Sequence, residues 1–550
     1  MTYEPFYWLN EDSKLFLSRG YLREGEDAKS RLKDIGDCAE KILDKKGFSE
    51  KFNDYMSRGW FSLSSPVWSN FGREKGMPIS CFGNYIQDDL TDILWSAGEV
   101  GKQSQIGGGT SGFFGEIRPR GSKVSSGGES DGAVSFMKIF DTVVDICKQA
   151  SVRRGSFAAY LNIDHQDIEE FLKIKTEGHP IQHLFTGVCV SDEFMEGMIN
   201  GDKDKRKIWG KVLKSRSETG LPYIFFSDTV NNNAPQVYKE KGRKVHASNL
   251  CSETTLSASE DESFVCCLSS MNLLHFDEWK DTDAVEVLCY FLDAVMSEFI
   301  AKSEGEEFLK KSNKFAREQR AIGVGVFGFH SYLQSKMVAF ESLETMMINH
   351  EIFENLHLKS LEASKKIASE YGEPELLKGY GERFATRLAI APTTSSAFII
   401  GQTSQSIEPE KSNYFNKELA KSKITIKNKY LKKLLEEKKQ DTKKVWDSIL
   451  VNNGSVQHLE FFTQEEKEGR STLQEMSRRQ VIELAEQRQA FVDQSQSLNL
   501  SIHPSVTAKE INELMVHSWK IGVKTLYYQH SSSAAQQFIR KLNQCVSCEA

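Results

Sequence analysis

The sequence predicts an α/β protein, and three observations carry that prediction. Stretches with the apolar spacing of helices alternate with short apolar runs bounded by polar and glycine-containing segments, as strands and their loops do. The chain of 550 residues is 39% hydrophobic and 27% charged, which supplies a sizeable core and excludes global disorder. No internal repeat of fixed period runs along it, which argues against solenoids and propellers. At about 150 residues per domain, the length admits one large unit with extensions as readily as three smaller ones.

The elements follow in order. Residues 1–60 interleave charged and apolar positions and read as a mostly helical N-terminal region. Leu63-Ser64-Ser65-Pro66 interrupts that pattern. The glycine-rich stretch 105–132, with Gly107-Gly108-Gly109 and Gly127-Gly128, reads as loops or as backbone that approaches a ligand closely. Helical spacing returns over 133–150 and 186–216. Residues 245–275 predict strands and loops, and 285–303 and 343–371 predict helices. From Leu388 to Ile400 a Thr/Ser cluster lies between two apolar runs. The lysine-rich segment 411–445 reads as a solvated surface. Thr507-Ala508-Lys509-Glu510 has the form of a capping box and predicts a helix running to Lys520. Val523 to Tyr528 reads as a strand, and the polar end, 536–550, reads as a mobile tail.

Charge and segment patterning exclude several functions. Seventy Lys and Arg against 77 Asp and Glu give a net charge of −7, which speaks against stable binding to a nucleic-acid polymer. No apolar run approaches a membrane span, and Met1-Thr2-Tyr3-Glu4-Pro5 has no signal-peptide character. Ten cysteines are too few for a disulfide scaffold of this size. They fit a reducing compartment and predict a cytoplasmic protein whose thiols are either small hydrophobes or chemically used.

The candidate chemistry begins at Asn249-Leu250-Cys251-Ser252-Glu253. Alternation in an extended segment puts Asn249, Cys251 and Glu253 on one side, an amide, a thiol and a carboxylate together. An amide can hydrogen-bond a hydroxyl, and a carboxylate can take its proton. Read alone, the segment is equally a loop with a buried cysteine. Cys266-Cys267 and Cys81 are likewise uninformative singly. Cys545-x-x-Cys548 is a redox motif or half a zinc site, and with no second ligand pair at suitable spacing a dithiol shuttle is favoured; no metal site is expected. Tyr527-Tyr528 in a strand would place one ring in the core and one at the surface. Pro392-Thr393-Thr394-Ser395-Ser396 offers hydroxyls and amides to an anion, or is a polar loop. Gly107 to Gly112 lacks the Lys-Ser or Lys-Thr of a P-loop.

Taken together, these pieces resemble the large catalytic subunit of class I ribonucleotide reductase, over nearly the whole chain. The most specific are Ser248-Asn249-Leu250-Cys251-Ser252-Glu253 and Gly522-Val523-Lys524-Thr525-Leu526-Tyr527-Tyr528-Gln529. Asp493-Gln494-Ser495 before Ser497-Leu498-Asn499, the Pro392 to Ser396 loop, Ile407-Glu408-Pro409 and the C-terminal dithiol stand in the same order. The resemblance implies a ten-stranded α/β barrel of two five-stranded halves over 61–535, with a finger loop entering its centre.

It also implies roles. Cys251 at the fingertip would become a thiyl radical and take the 3′ hydrogen of a ribonucleotide. Glu253 would take the 3′-hydroxyl proton, and Asn249 would bond the sugar. Cys81 and Cys266, the latter selected by the family's Cys-x-Leu-Ser pattern, would supply the reducing equivalents. Tyr527 and Tyr528 would relay oxidation from a metal-containing small subunit. Cys545 and Cys548 would re-reduce the active-site pair and be reduced by thioredoxin or glutaredoxin. Thr394, Ser395 and Ser396 would hold phosphate, and Ser65, Ser80 and Gly109 would line the nucleotide, a ribonucleoside diphosphate. Ungapped counting from Cys81 puts an effector site for dNTP or ATP at Asp88 and Arg118, with Lys175 to His183 as its linking loop. No covalently bound cofactor is implied. A homodimer within an alpha2beta2 assembly is expected.

In one respect the chain departs from many large subunits. It begins almost directly in the catalytic region, so an N-terminal ATP-binding regulatory domain and inhibition by dATP through it are not expected. Two rivals stand beside this reading. An adenosylcobalamin-dependent reductase on the same barrel would work without a small subunit. An inactive nucleotide-binding homologue would survive loss of Cys251.

Overall fold

The computed structural model describes residues 4–125, 127–147, 155–419, 422–503 and 505–531. Three helices open the chain, Glu11–Leu17, Ala28–Leu43 and Phe48–Ser57, the first two capped by the Asn10 and Asp27 side chains. They build no separate core. Phe52 stacks on Phe291 of the helix Ala284–Ser303 at 4.6 Å and belongs to the one large apolar cluster that runs through the barrel.

Thirteen strands are present among the described residues. β1 (Phe61–Leu63), β2 (Cys81–Tyr85), β3 (Gly109–Phe113), β4 (Phe157–Asn162), β5 (Phe185–Val190) and β6 (Tyr223–Phe226) come first. β7 (Phe264–Asn272), β8 (Ile322–Phe327), the hairpin β9 (Tyr414–Leu419) and β10 (Ser422–Lys427), then β11 (Leu500–Ile502), β12 (Thr525–Leu526) and β13 (Gln529–Ser531) follow. β2 to β6 pair in parallel, in chain order. That order requires crossovers, and helices such as Leu90–Gln105 and Ala133–Ile146 supply them.

The second half begins at β7, antiparallel to β2 and parallel to β8. β8 meets residues 388–390 through Val324↔Leu388, and those meet 494–498 through Ile390↔Gln496, both in parallel. Tyr527 N donates to Leu498 O and Leu500 N to Tyr528 O, and β11 pairs in parallel with β13. β12 then pairs antiparallel with β6. The ring therefore closes: two runs of five parallel positions joined by antiparallel seams at β2/β7 and β6/β12, as the resemblance implies. β1 is an outer strand on β7.

Several local expectations change. Residues 186–216 are not helical throughout: β5 comes first, then the helices Asp192–Ile199 and Lys203–Thr219. Every residue of β5 is buried, and a continuous apolar run carries no period of two to mark it as a strand. Gly109 to Gly112 belong to strand β3 rather than to a loop. Their smallness is steric: a Cβ on Gly112 would lie 2.6 Å from Phe157, and one on Gly109 3.0 Å from Leu250. The strand expected over 523–528 is regular only at Thr525–Leu526. The lysine-rich segment is a hairpin and two helices, Lys429–Glu437 and Lys443–Val451, around a small core of their own that includes Leu431, Leu435 and Trp446. The capping box at Thr507 and Glu510 is present and starts the helix Ala508–Lys520.

Candidate active site

The chain between β6 and β7 folds inward as a finger. Asn249, Ser252, Glu253 and Thr254 are all buried to within 1% of complete. Its tip is a tight turn in which Ser252 takes φ 68°, Ser252 N–H donates to the Asn249 carbonyl, and Asn249 N–H donates to the Thr254 carbonyl. The Asn249 amide oxygen accepts from Thr254 N–H at 3.0 Å, so the side chain locks the turn that presents Cys251. Both halves of the barrel grip this tip. From the first, Tyr160 on β4 donates its hydroxyl to the Asn249 carbonyl at 2.9 Å and meets Ser248 Oγ at 2.6 Å. From the second, Ser497 Oγ reaches the Cys251 carbonyl at 2.5 Å, Ser495 N–H donates to the Glu253 carbonyl, and Thr525 Oγ1 donates to the Ser252 carbonyl.

Glu253 carries a carboxyl in a dry site. Burial pushes its pKa up to about 7, against the opposing pull of hydrogen bonds from its own backbone, Asn249 and Ser497. Ser497 Oγ lies 3.1 Å from Glu253 Oε2. A carboxyl poised there can hold or release a proton near neutral pH.

Cys81 and Cys266 are direct partners in the antiparallel β2/β7 register. Such partners have Cα atoms about 4.5–5.5 Å apart, inside the range a disulfide accepts. Burial raises both thiol pKa values well above the ordinary range, so each holds its proton. Asn249 Nδ2 lies 3.4 Å from Cys81 Sγ, and the Gln494 amide nitrogen lies 3.7 Å from Cys266 Sγ. Cys267, the next residue along β7, alternates to the other side, where Asp293 and Arg320 act on it more strongly than Cys81 does. The strand period separates the adjacent pair: Cys266 looks inward, Cys267 toward the outer helices.

A cavity opens in front of these groups. Cys81, Cys251 and Glu253 line it together with Ser64, Ser65, Ser80, Thr393 and Ser396. Ser65 and Ser80 lie on the cavity wall, and Leu250 of the finger closes on Gly109, where a Cβ would lie 3.0 Å from it. The hydroxyl cluster divides. Thr393, with φ 52°, starts the short helix Thr394–Ile399, and Thr393 and Ser396 face the cavity. Thr394 instead faces a second hollow and bonds Gln405, and Ser395 Oγ accepts from Tyr21 at 3.4 Å.

The arrangement offers a thiol beside a near-neutral carboxyl, two further thiols able to yield two electrons as a disulfide, and a hydroxyl-lined wall. A family model for the ribonucleotide reductase barrel domain matches residues 79–204, 197–376 and 374–529. The chain belongs to the ribonucleotide reductases. It is thereby an oxidoreductase of deoxynucleotide synthesis. The large subunit of ribonucleoside-diphosphate reductase from Invertebrate iridescent virus 3 is 32% identical over 624 residues, covering 97% of this chain and 97% of its own. That of Danio rerio is 27% identical over 573 residues, covering 89% and 71%. Among solved structures, the Actinobacillus ureae class Id ribonucleotide reductase alpha subunit is 53% identical, covers 97% of this chain and 99% of its own, and superposes with a TM-score of 0.93.

The remaining reductase motifs fall as follows. Tyr527 is buried and Tyr528 half-buried, yet their rings touch, centroids 4.4 Å apart, because the regular strand ends at Leu526 and the alternation of faces ends with it. Lys524, on the same segment, is buried and donates to the carbonyls of Asn233, Asp493 and Gln494. Asn499 Nδ2 donates to Glu408, joining the Ile407-Glu408-Pro409 motif to the Ser497-Leu498-Asn499 motif. Asp88 and Arg118 are brought together as an ion pair at 2.5 Å. Cys545 and Cys548 lie outside the described residues. Among the described residues, no helix is long and apolar enough to cross a membrane. The sequence assigned no role to Ser497 or Gln494, although each lies in a quoted motif, offered Thr393 only as one of an anion-binding group, and gave no sign of Tyr160.

Proposed function

We propose that the chain is the catalytic large subunit of a class I ribonucleoside-diphosphate reductase. One observation carries this reading: the gripped fingertip sets Cys251 and Glu253 in one cavity with Cys81, and Cys81 faces Cys266 in register. Cys251, as a thiyl, takes the 3′ hydrogen of the substrate, and Glu253 takes the 3′-hydroxyl proton while Asn249 bonds the sugar. The 2′-hydroxyl leaves as water with a proton from the Cys81 and Cys266 pair. Those two sulfurs give two electrons and become a disulfide, their second proton completes a new C2′–H bond, Glu253 returns its proton to the 3′ oxygen, and Cys251 returns its hydrogen to C3′. Ser65, Ser80 and Gly109 line the nucleotide, and the Thr393 and Ser396 hydroxyls, which face the cavity, hold its phosphates.

The oxidising equivalent comes from a separate metal-containing small subunit and passes through Tyr528 and Tyr527, whose ring contact suits a relay. Cys545 and Cys548 re-reduce the pair at the expense of thioredoxin or glutaredoxin. Asp88 and Arg118 mark an effector site for dNTP or ATP, and the working assembly is alpha2beta2 in the cytoplasm. The test is deoxycytidine diphosphate formation from cytidine diphosphate, with effector and dithiothreitol, with the small subunit or with adenosylcobalamin alone. Turnover only with the small subunit supports the reading. Turnover with cobalamin alone overturns the partner and the tyrosine path. A Cys251→Ser chain that keeps turnover overturns the fingertip assignment.

A further inference from the structure

Arg216, in the helix Lys203–Thr219, is completely buried. One guanidinium nitrogen donates to the Pro222 carbonyl, another donates to the Tyr527 carbonyl at 3.1 Å, and among the described residues Nε has no hydrogen-bond partner. Among the described residues, the titratable group that acts on its charge is the Tyr223 phenol, not an acid. A buried cation without a counter-charge costs stability, which the two carbonyls it meets only partly offset.

Tyr223 gives it a task. Its ring centroid lies 4.7 Å from Tyr527 and 5.1 Å from Tyr528. Three phenols are thus in mutual contact where the relay needs two, and distance alone does not keep a radical off the third. The unwanted step is a hydrogen-atom transfer. The Tyr528 phenoxyl takes the proton and one electron from the Tyr223 hydroxyl, one O–H bond forms as the other breaks, and the radical is stranded to the side. Oxidation withdraws electron density from the phenol oxygen, so the Arg216 charge, held on the carbonyl of the preceding residue Pro222, opposes it in a dry interior.

We infer that Arg216 is a positioning residue that keeps the radical on the Tyr527–Tyr528 line, by holding the Tyr527 backbone and by making Tyr223 the hardest of the three rings to oxidise. The inference rests on the tyrosine relay proposed above.

Arg216→Gln keeps an amide donor for the Tyr527 carbonyl and removes the charge. With the small subunit and substrate, kcat should fall about tenfold, with KM and subunit association unchanged, and Arg216→Lys should retain turnover. Adding Tyr223→Phe to Arg216→Gln removes the side station and should restore kcat to within about twofold of the parent. A purely structural role for Arg216 would not be rescued in this way. Parental turnover in Arg216→Gln, or a double variant as slow as the single, overturns the inference.

Should Arg216→Gln fail to fold, 3-aminotyrosine placed in turn at 223, 527 and 528 of the otherwise native chain reads the same quantity by electron paramagnetic resonance. Less radical at 223 than at the other two is expected; as much or more at 223 overturns the inference. Tyr527→Phe separates the two claims. If that variant keeps its turnover, the relay and this inference fall together. Loss there beside a silent Arg216→Gln removes this inference alone.

Discussion

Replacing Ser497 with alanine tests whether the fingertip carboxyl sets the pH at which the reductase works. Ser497 Oγ has one proton to give and two acceptors, the Cys251 carbonyl at 2.5 Å and Glu253 Oε2 at 3.1 Å. When Glu253 ionises, that proton stabilises the carboxylate. A hydrogen bond to a charged group contributes about 1.5–3 kcal/mol, and competition from the carbonyl puts this one at the lower end. Each pKa unit corresponds to about 1.4 kcal/mol, so the loss should raise Glu253 by about one unit from its value near 7. A base works only in its ionised form, so the acidic limb of the kcat profile should move to higher pH by that unit. At pH 7 the ionised fraction would drop from about one half to about one tenth, a loss of roughly fivefold, and above pH 9 the variant should nearly match the parent. The assay is deoxynucleotide formation from pH 6 to 9 with saturating substrate and small subunit. A limb that stays in place, or that moves to lower pH, would refute the assignment of Glu253 as the titrating base. A uniform loss at every pH would show that Ser497 acts by holding the finger.

Four further outcomes follow from particular contacts. Cys266→Ala should abolish thioredoxin-driven turnover, whereas Cys267→Ala, on the outer face of β7, should leave it within about twofold; equal loss in both would remove the distinction between the faces. Glu99 is buried, neither carboxylate oxygen is hydrogen-bonded among the described residues, and burial pushes its pKa up to about 7 against the pull of Lys311 Nζ at 3.8 Å. A raised folded-state value means that stability is fullest below the unfolded value and falls as pH rises toward 7. Glu99→Gln should therefore raise stability by about 1–3 kcal/mol at pH 8 and by nothing near pH 4.5, as read by thermal melts at both. Lys524→Met strands the Asn233 and Asp493 carbonyls, while the Gln494 carbonyl keeps Gln489 Nε2, and should cost about 2–4 kcal/mol in denaturant unfolding; a loss below about 1 kcal/mol would show that water replaces the ammonium. Cys545→Ser with Cys548→Ser should fail with a thioredoxin system yet turn over with dithiothreitol, and equal failure with both would give the tail another task.

Much of the site was legible because its chemistry is local. Asn249, Cys251 and Glu253 lie within five residues, and the turn that presents them is made by their own neighbours. The capping box at Thr507 was legible for the same reason. What escaped was non-local. The barrel positions at 388–390 and 494–498 meet their neighbours through single bridges and carry no strand pattern of their own. β3 was hidden because glycines chosen to admit Phe157 and Leu250 look like loop glycines. Arg216 sits among Lys214, Ser215, Ser217 and Glu218 and carries no local sign of burial until the fold surrounds it. Thr394 and Ser396 are indistinguishable in sequence, and only the turn of one short helix sends one toward the cavity and the other behind it.

The two seams differ in a way that bears on how the barrel moves. A bond between Cys81 and Cys266 would stitch the first half to the second at β2/β7 and close a covalent loop around the finger itself. Each catalytic cycle would then fasten and unfasten that edge. The opposite edge, β6/β12, has no such stitch and rests on two residue pairs, Phe225 with Thr525 and Ile224 with Leu526. With one side of the cylinder sewn, the edge held by backbone pairing alone would be the short one that leads directly into Tyr527 and Tyr528.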